Sequence, residues 1–437
     1  MNTTKTPRQT SGSSPHDFAA HDLAAHGRRP ARGRTGNPLR APGRGIRAGL
    51  RLIIAAAVAG QVAIAAPAAS AAAQPADHTG VQRVLDRAVA DGGVPGILAT
   101  IQDGRDTWVG TAGVADTTTG RQRRAHDRFR IGSTTKTFTA TVMLQLAAEG
   151  RLTLDDSVEK WLPGVVRGPG HEPELITIRQ LLDHTSGIYD YVNDEGMTDK
   201  GVGLPFLKHR FDSYRPEEIV RIGVSHPPTF APGGGWAYSN TAYFLAGMII
   251  ERVTGRSLAT AIEQRVARPL GLTSTYLPRG DDPLIRGPHG RHYSKLMLTD
   301  PDAGIHDVTE LNPSWGWAAG GMISTTGDLD RFFGALLGGR ILPPAQQREM
   351  LTMVPTKNWI PFTTYGLGVA SQKLSCGVTV WGMGGAVNGS WTYTFGTRNG
   401  TRMVSVNVNG DWNSPITTFT DVLQAEFCPS SGPVPLA

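Results

Sequence analysis

The chain has 437 residues, of which 39% are hydrophobic and 18% charged, a composition that is ample for a large core. Its net charge of +6 comes from residues 1–71, which hold ten Lys or Arg and two Asp (+8) and leave about −2 for the remainder. The basic balance is therefore no sign of nucleic-acid binding, and we expect no nucleic-acid partner.

The N-terminal region has the features of an export signal. Residues 1–43 form a polar leader, either an extended n-region or an over-extended reading frame, and residues 52–66 are almost wholly apolar. Arginines precede the apolar run, and a small-residue sequence typical of a signal-peptidase site follows it and ends at Ala71. We predict that residues 1–71 are a leader and signal peptide cleaved near Ala71, and that the mature protein is secreted. Because the apolar run is short for a membrane span, we expect no stable anchor after cleavage.

A helix and a β-hairpin are predicted after the signal. Thr79 caps a helix whose apolar residues follow helical spacing. The strand-like runs 97–101 and 107–113 surround Asp103-Gly104, a dipeptide typical of tight turns. Three further strand-like runs lie near the C-terminus, at residues 378–383, 390–395 and 401–409. Strands are therefore expected at both ends of the chain.

The region between these strands is predicted to be mainly helical. Its helical segments are residues 137–148, 216–222, 241–253, 257–266 and 326–337. The simplest architecture is an α+β fold, in which an antiparallel sheet built from both chain ends has flanking helices and an inserted all-helical lobe. We expect the active site in the cleft between the sheet and this lobe.

The sequence STTK at residues 133–136 places a nucleophile and a base at a useful spacing. Residues i and i+3 share a helix face, so Lys136 can take the proton of Ser133. A second Ser-x-x-Lys, Ser157 with Lys160, shows that the pattern alone decides nothing. Ser133 precedes a largely apolar helix, whose first N–H groups favour a developing oxyanion. Ser157 lies in a polar stretch, which predicts a helix cap beside a solvated lysine.

The sequence YSN at residues 238–240 supplies a second proton-handling group. Tyr238 follows the glycine-rich turn 232–235 and precedes an apolar helix, and such a turn lets the backbone fold tightly around a site. Tyr191 occurs in a similar Tyr-x-Asn pattern, but it lies in a polar loop that no such turn precedes. We therefore predict that Tyr191 is a wall of the cleft rather than a catalyst.

Five ordered segments resemble the penicillin-recognising serine hydrolases, which include D-alanyl-D-alanine carboxypeptidases, class C β-lactamases and related esterases and D-aminopeptidases. The segments are FRIGSTTKTF, LLDHTSGIYDY, PGGGWAYSN, AGGMISTTGDLDRFF and LSCGVTVWGMGGAVNG, starting at residues 129, 181, 232, 319 and 374. The chain is most similar to secreted D-alanyl-D-alanine carboxypeptidases. The resemblance implies a β-lactamase/transpeptidase-like fold and a single catalytic domain at 72–437. Its sheet lobe would span about 78–135 and 318–430, and its helical lobe about 136–317.

The resemblance also implies roles for individual residues. Ser133 would be the acylated nucleophile, Lys136 would assist its deprotonation, and Tyr238 would act as general acid and base toward the leaving group. Asn240 would orient the substrate amide, and the backbone N–H groups of Ser133 and Ala386 would form the oxyanion hole. No cofactor and no metal is expected.

Met383-Gly384-Gly385 departs from the third motif of the family, which begins with Lys or His. A thioether supplies neither a charge nor a strong hydrogen bond. Carboxypeptidases of the family also carry an arginine before the first cysteine, where this chain has only Lys373 as a basic residue. The loss of both groups shifts the expected substrate toward esters or amides without a free carboxylate.

The two cysteines of the chain, Cys376 and Cys428, lie in the part that we expect to be exported. In an oxidising compartment they predict a single disulfide bridge, and their position in the family supports it.

Several other residues are candidates for the site or for a metal. Trp315 is a candidate substrate contact, with core packing as the alternative. His184 lies in the HTSG turn, where we expect a structural hydrogen bond. His289 and His292 lie in a polar loop without a third ligand nearby, so we expect solvated side chains rather than a metal site.

Three functions remain open from the sequence. The first is a secreted serine hydrolase resembling D-alanyl-D-alanine carboxypeptidase, whose partner is a small peptide, ester or amide, including peptidoglycan precursors or β-lactams. The second is an esterase, amidase or β-lactamase-like hydrolase of substrates without a free carboxylate. The third is a poorly catalytic module that binds β-lactams or peptides. A Ser-His-Asp hydrolase is disfavoured because the chain has no Gly-x-Ser-x-Gly.

Overall fold

The computed structural model describes residues 77–428, and the signal and leader predicted at 1–71 lie outside the described residues. The helices are α1 (Thr79–Ala90), α2 (Thr135–Ala148), α3 (Val158–Trp161), α4 (Ile178–Leu182), α5 (Glu195–Gly201), α6 (Leu204–His209), α7 (Pro216–Ser225), α8 (Asn240–Thr254), α9 (Leu258–Ile262), α10 (Trp317–Gly320), α11 (Thr326–Leu337), α12 (Pro344–Met350) and α13 (Pro415–Phe427). Within these described residues no helix has the length and apolar character that crossing a membrane requires.

The strands are short at the centre of the chain and long at its two ends. They are β1 (Gly96–Asp103), β2 (Asp106–Asp116), β3 (Arg121–Gln122), β4 (Phe129–Arg130), β5 (Tyr293–Ser294), β6 (His306–Asp307), β7 (Ile323–Ser324), β8 (Val354–Pro355), β9 (Thr363–Tyr365), β10 (Ala370–Lys373), β11 (Thr379–Val387), β12 (Ser390–Gly396) and β13 (Arg402–Val408). Short 3₁₀ helices occupy Gly132–Thr134, Tyr191–Asn193 and Pro313–Trp315, and a π-helical turn occupies Glu263–Ala267.

One nine-stranded antiparallel sheet joins the two ends of the chain, in the order β3-β2-β1-β13-β12-β11-β10-β9-β8. Strand β1 pairs with β2 through the predicted turn at Asp103-Gly104, and Ile97 of β1 lies opposite Val408 of β13. The predicted sheet built from both chain ends is confirmed.

Helices cover both faces of this sheet. Ser405 of β13 donates a hydrogen bond to the Asp330 carboxylate of α11 at 2.7 Å. Tyr393 of β12 stacks on Phe419 of α13, with ring centroids 5.4 Å apart. Because Tyr393 lies opposite Val406, the neighbour of Ser405, these contacts are on opposite faces of the sheet. The central strands are therefore buried on both sides.

The inserted region is mainly helical, but the prediction of an all-helical lobe was wrong, because the short strands β5 and β6 pair within it. Its centre is the pair α2 and α8, which pack against each other. Both helices are buried on nearly all sides, which their largely apolar sequences favour. Helix α8 begins where the Ser239 hydroxyl accepts the Ala242 N–H, and it ends at Gly255, whose φ is 66°. Helix α11 has the bounds that were predicted for it.

A disulfide joins Cys376 and Cys428, whose Cα atoms lie 5.8 Å apart. It ties the turn between β10 and β11 to the end of α13. The predicted bridge is confirmed.

Candidate active site

Ser133 lies in the 3₁₀ turn that leads directly into α2. The turn begins at Gly132, whose φ of 49° favours glycine. A Cβ on Gly132 would lie 2.5 Å from the backbone nitrogen of Ala386, so the turn presses against β11. The nucleophile candidate is thus held between the helical region and the sheet.

Lys136 lies one helical turn further along α2, and its side chain is completely buried. Its Nζ lies 3.1 Å from Ser133 Oγ, 2.7 Å from Asn240 Oδ1 and 2.8 Å from the Ala319 carbonyl oxygen. Burial lowers the pKa of the Lys136 ammonium far below its usual range, and the charge of Asp190 opposes this shift. A neutral amine beside the Ser133 hydroxyl is a proton acceptor.

The ring of Tyr238 packs beside the same amine, with Lys136 Nζ 4.7 Å from the ring centroid. His184 and Trp359 pack against this ring, with centroids 4.3 Å and 5.9 Å away. Burial raises the pKa of the Tyr238 phenol well above its usual value, although a hydrogen bond with Ser133 opposes the rise. The phenol therefore keeps its proton at neutral pH and is available as a donor.

Strand β11 presents an open edge to Ser133. It pairs with β10 only as far as Gly382, so residues 383–387 have no strand on that side. Val387 and Ser390 close a two-residue turn and form a hydrogen-bonded pair, which makes Ala386 and Trp391 a non-hydrogen-bonded pair. The Ala386 N–H therefore points away from β12 and toward the Ser133 turn.

The Met383-Gly384-Gly385 segment is shaped by close backbone contacts. A Cβ on Gly385 would lie 2.1 Å from the Ile131 carbonyl oxygen and 2.4 Å from the Ser133 nitrogen. A Cβ on Gly384 would lie 2.4 Å from the ring of Tyr393. Met383 shares the face of Gly385 by strand alternation and is 1% exposed, so it adds apolar surface and no charge.

Asn240 uses both ends of its side-chain amide inside the protein. Its Oδ1 accepts from Lys136, and its Nδ2 donates to Asp190 Oδ2 at 2.9 Å. Asp190 is 4% exposed, and burial raises the pKa of its carboxyl group, while Lys136 opposes that shift. Sequence reasoning missed Asp190 because residues 189–194 are polar and resemble a solvated loop.

The predicted site residues line one pocket. Asn240, Trp315, Met383, Gly384, Gly385 and Ala386 line it together with Ser133 and Tyr238. Tyr191 also lines it, as predicted for a wall, and its hydroxyl donates to the Trp315 carbonyl oxygen. Lys136 lies behind the lining, where it contacts Ser133.

Much of the remaining pocket wall is apolar, and sequence reasoning did not identify it. This wall contains Val192, Met197, Val202, Phe206, Met297 and Trp359. Three basic side chains also line the pocket, and each has a partner. Lys200 and His209 lie 3.4 Å and 2.9 Å from the Asp212 carboxylate, and Arg210 donates to the Asp307 carbonyl oxygen.

The histidines have different environments. His184 Nδ1 accepts the Ser239 N–H at 3.1 Å, the structural hydrogen bond that was predicted. The expectation of a solvated His292 was wrong, because this side chain is 1% exposed, and burial lowers its pKa well below the usual value. His292 precedes β5, whose Tyr293 bonds to Asn409 next to the sheet, and this packing buries it. Residues 77–428 hold no group of three His, Cys, Asp or Glu side chains arranged for a metal.

Comparison with known proteins shows the family of the chain. The family model for Beta-lactamase matches residues 81–418. The chain belongs to the beta-lactamase family. It is thus a serine hydrolase of that family, with the β-lactamase/transpeptidase-like fold.

Proteins that are similar to this chain are named for several different activities. A D-stereospecific amidohydrolase from Streptomyces sp. is 49% identical, with a TM-score of 0.75 over 81% of this chain and 99% of its own. Penicillin-binding protein 4 of Amycolatopsis lactamdurans is 30% identical over 73% of this chain and 82% of its own length. Esterase EstB of Burkholderia gladioli is 37% identical over 43% of this chain and 48% of its own length. The chain spans about half the length of the first curated relatives that it matches.

Proposed function

We propose that the protein hydrolyses amides or esters of D-amino acids through an acyl-enzyme on Ser133, and that its substrates carry no free carboxylate next to the scissile bond. The observation that carries this proposal is the pocket. A buried amine, a partly buried phenol and a serine come together at its wall, and much of the remaining wall is apolar.

Acylation begins with the Ser133 hydroxyl. Burial lowers the pKa of Lys136, and in its neutral form Lys136 takes the proton of Ser133 while Oγ forms a bond to the substrate carbonyl carbon. The Ser133 and Ala386 N–H groups stabilise the resulting oxyanion. Such a pair of donors, held rigidly by a turn and a strand, is typical of acyl-transfer enzymes.

Tyr238 completes the first half of the reaction. As the carbon–nitrogen or carbon–oxygen bond breaks, the phenol gives its proton to the leaving group and regains one from the Lys136 ammonium. Its raised pKa favours this role, since the phenol is protonated when the leaving group departs. Water then attacks the acyl-enzyme, and Tyr238 and Lys136 accept and return its proton in the reverse order.

The chemistry of the wall supports substrates without a terminal carboxylate. Met383 offers no charge, Lys200 and His209 lie beside the Asp212 carboxylate, and Arg210 donates to the Asp307 carbonyl oxygen. An apolar wall stabilises an apolar amino-acid side chain by burying its surface. The D configuration is supported by the similarity to the D-stereospecific amidohydrolase.

A D-alanyl-D-alanine carboxypeptidase that β-lactams acylate is the second candidate. It is supported by the similarity to a penicillin-binding protein over most of both chains. The buried Met383 disfavours it, because a substrate carboxylate would gain no charge-assisted hydrogen bond there.

Export to an oxidising compartment is part of the proposal. Cys376 and Cys428 form a disulfide, and disulfides persist in secreted proteins but are rare in the cytosol. A secreted enzyme of this kind meets small amides, esters and peptides outside the cell.

The experiment is a kinetic comparison with the full chain expressed in an exporting host. D-phenylalanine amide, L-phenylalanine amide and a D-alanyl-D-alanine peptide are assayed with wild type, Ser133→Ala and the control Ser157→Ala. We expect kcat/KM for the D-amide to exceed that for the L-amide and for the peptide by at least about tenfold. Only Ser133→Ala should abolish turnover. Faster turnover of the peptide would favour the second candidate, and full activity in Ser133→Ala would refute the proposal.

A further inference from the structure

Asp190 is buried behind the active site and does not line the pocket. It begins the 3₁₀ turn Tyr191–Asn193, and its Oδ1 accepts the Val192 N–H at 3.4 Å. Its Oδ2 accepts from the Asn240 amide at 2.9 Å. The carboxylate therefore touches the proton-transfer residues only through Asn240.

The contact between Asp190 and Asn240 decides which way the Asn240 amide points. A carboxylate only accepts hydrogen bonds, so the Asn240 NH₂ group must face Asp190. The amide oxygen is then left to face Lys136, at 2.7 Å from its Nζ. The reverse orientation would place two oxygens together at Asp190 and two donors together at Lys136.

This orientation determines where the lone pair of Lys136 points. A neutral amine has two N–H donors and one lone pair, and Nζ has three close oxygens. The Asn240 oxygen and the Ala319 carbonyl oxygen only accept, so they take the two N–H donors. The lone pair is left for the Ser133 hydroxyl, which is the partner able to donate a proton to it.

We infer that Asp190 is a positioning residue, which orients Asn240 so that the lone pair of Lys136 is directed at Ser133. This inference rests on the proposed function, because it assigns Asp190 a part in the same proton transfer. The negative charge of the Asp190 carboxylate also favours the protonated form of Lys136, against the effect of burial. The titratable groups around Asp190 are Lys136 and the phenols of Tyr189, Tyr191 and Tyr238.

The first test is Asp190→Asn in the full-length protein, with D-phenylalanine amide as substrate. We expect kcat to fall about tenfold or more, because the Asn240 amide is free to reverse. KM should change less than twofold, since Asp190 does not touch the pocket. The acid limb of the kcat/KM profile should move down by at least about one pH unit, because the charge that favours protonated Lys136 is lost.

The second test exchanges the two side chains, as Asp190→Asn with Asn240→Asp. The carboxylate at position 240 then accepts from Lys136, as the Asn240 oxygen does in the wild type. The hydrogen bond between positions 190 and 240 is reversed, with the new amide at position 190 as its donor, so position 240 still offers only an acceptor to Lys136. We expect kcat at least about fivefold above that of Asn240→Asp alone, which places two carboxylates together. The acid limb should lie at higher pH than in wild type. Asp330→Asn, which removes a buried carboxylate of α11 that accepts from Ser405 of the sheet, is the control and should leave the profile unchanged.

The outcomes separate the inference from the proposed function. Unchanged kcat and acid limb in Asp190→Asn, or a loss confined to KM, would overturn the role of Asp190 while the Ser133 results stand. If Asp190→Asn does not fold, as judged by circular dichroism, the exchanged pair decides. No gain over Asn240→Asp alone then overturns the inference. If Ser133→Ala turns over the D-amide at the wild-type rate, the proposed function itself is refuted.

Discussion

The two Ser-x-x-Lys segments of this chain have the same residue pattern, but their lysines differ in burial and in hydrogen-bond partners. Lys136 is completely buried, and its Nζ contacts the Ser133 hydroxyl and two further oxygens. Lys160 is 55% exposed in its side chain and pairs with the Asp156 carboxylate at 2.7 Å. Ser157 only caps α3, where its hydroxyl accepts the Lys160 N–H.

The comparison teaches that the same spacing can leave one lysine buried and the other solvated, and the proposed role of Lys136 as a base depends on its burial. Removal of Lys136 from water destabilises its charged form, so that its amine accepts a proton near neutral pH. The Lys160 side chain pairs with the Asp156 carboxylate, and Ser157 Oγ accepts from the Lys160 backbone N–H instead of giving a proton to the amine. The apolar helix that follows Ser133 favours the same serine from the sequence alone.

The largest effect is expected from removing one lysine at a time. Lys136→Ala should lower kcat/KM by about 10²–10⁴-fold, because it removes the proton acceptor of Ser133. Lys160→Ala should leave kcat/KM unchanged and alter stability by less than about 1 kcal/mol, since it removes an exposed ion pair. Steady-state kinetics and thermal melting of both variants measure this difference. Similar losses in the two variants would contradict the comparison.

A smaller effect is expected from crowding the turn that holds Ser133. Gly385→Ala should cost about 1–3 kcal/mol of stability and reduce activity, because its Cβ would lie 2.1 Å from the Ile131 carbonyl oxygen. Gly327→Ala in α11 is the control, since a Cβ there meets no atom within 4 Å. Urea unfolding and kcat/KM of both variants test this. Wild-type values for Gly385→Ala would mean that β11 does not press on the Ser133 turn.

The pH dependence of kcat/KM shows which of the two lysines controls activity, without a mutation at Ser133. In the proposed mechanism Lys136 acts as a base when neutral, so kcat/KM should rise with pH through the lowered pKa of Lys136 and level off below the usual lysine value of about 10.4. The raised pKa of Tyr238 predicts no loss of its proton below about pH 10. Lys160→Ala should show the same acid limb. An acid limb at the pKa of a solvated lysine would contradict the role of burial.

The smallest effect is expected from restoring a cation at the third motif. Met383→His should raise the ratio of peptide to amide hydrolysis by a few-fold, about 1 kcal/mol, because a charged ring can bind a carboxylate. Met383→Leu keeps the volume without the charge and should leave the ratio unchanged. The two ratios are measured by paired initial rates. An unchanged ratio in both variants would remove the argument that Met383 disfavours peptides.

The sequence predicted those parts of the molecule that depend on local patterns. The hairpin at Asp103-Gly104 and helix α11 follow from turn chemistry and helical spacing, and the choice of Ser133 follows from its neighbours in the chain. The position of Asp190 did not follow, because its burial depends on Asn240, which lies fifty residues away. His292 was misread for a related reason, since a polar loop can be buried when a sheet packs against it.

The most direct measurement maps the site of a fluorophosphonate adduct by mass spectrometry of the intact, folded protein and its peptides. A buried base beside only one of the two serines predicts a single adduct on the peptide that contains Ser133. It also predicts a labelling rate that rises with pH along the acid limb of kcat/KM. An adduct on Ser157, or a labelling rate that is unchanged in Lys136→Ala, would contradict the account.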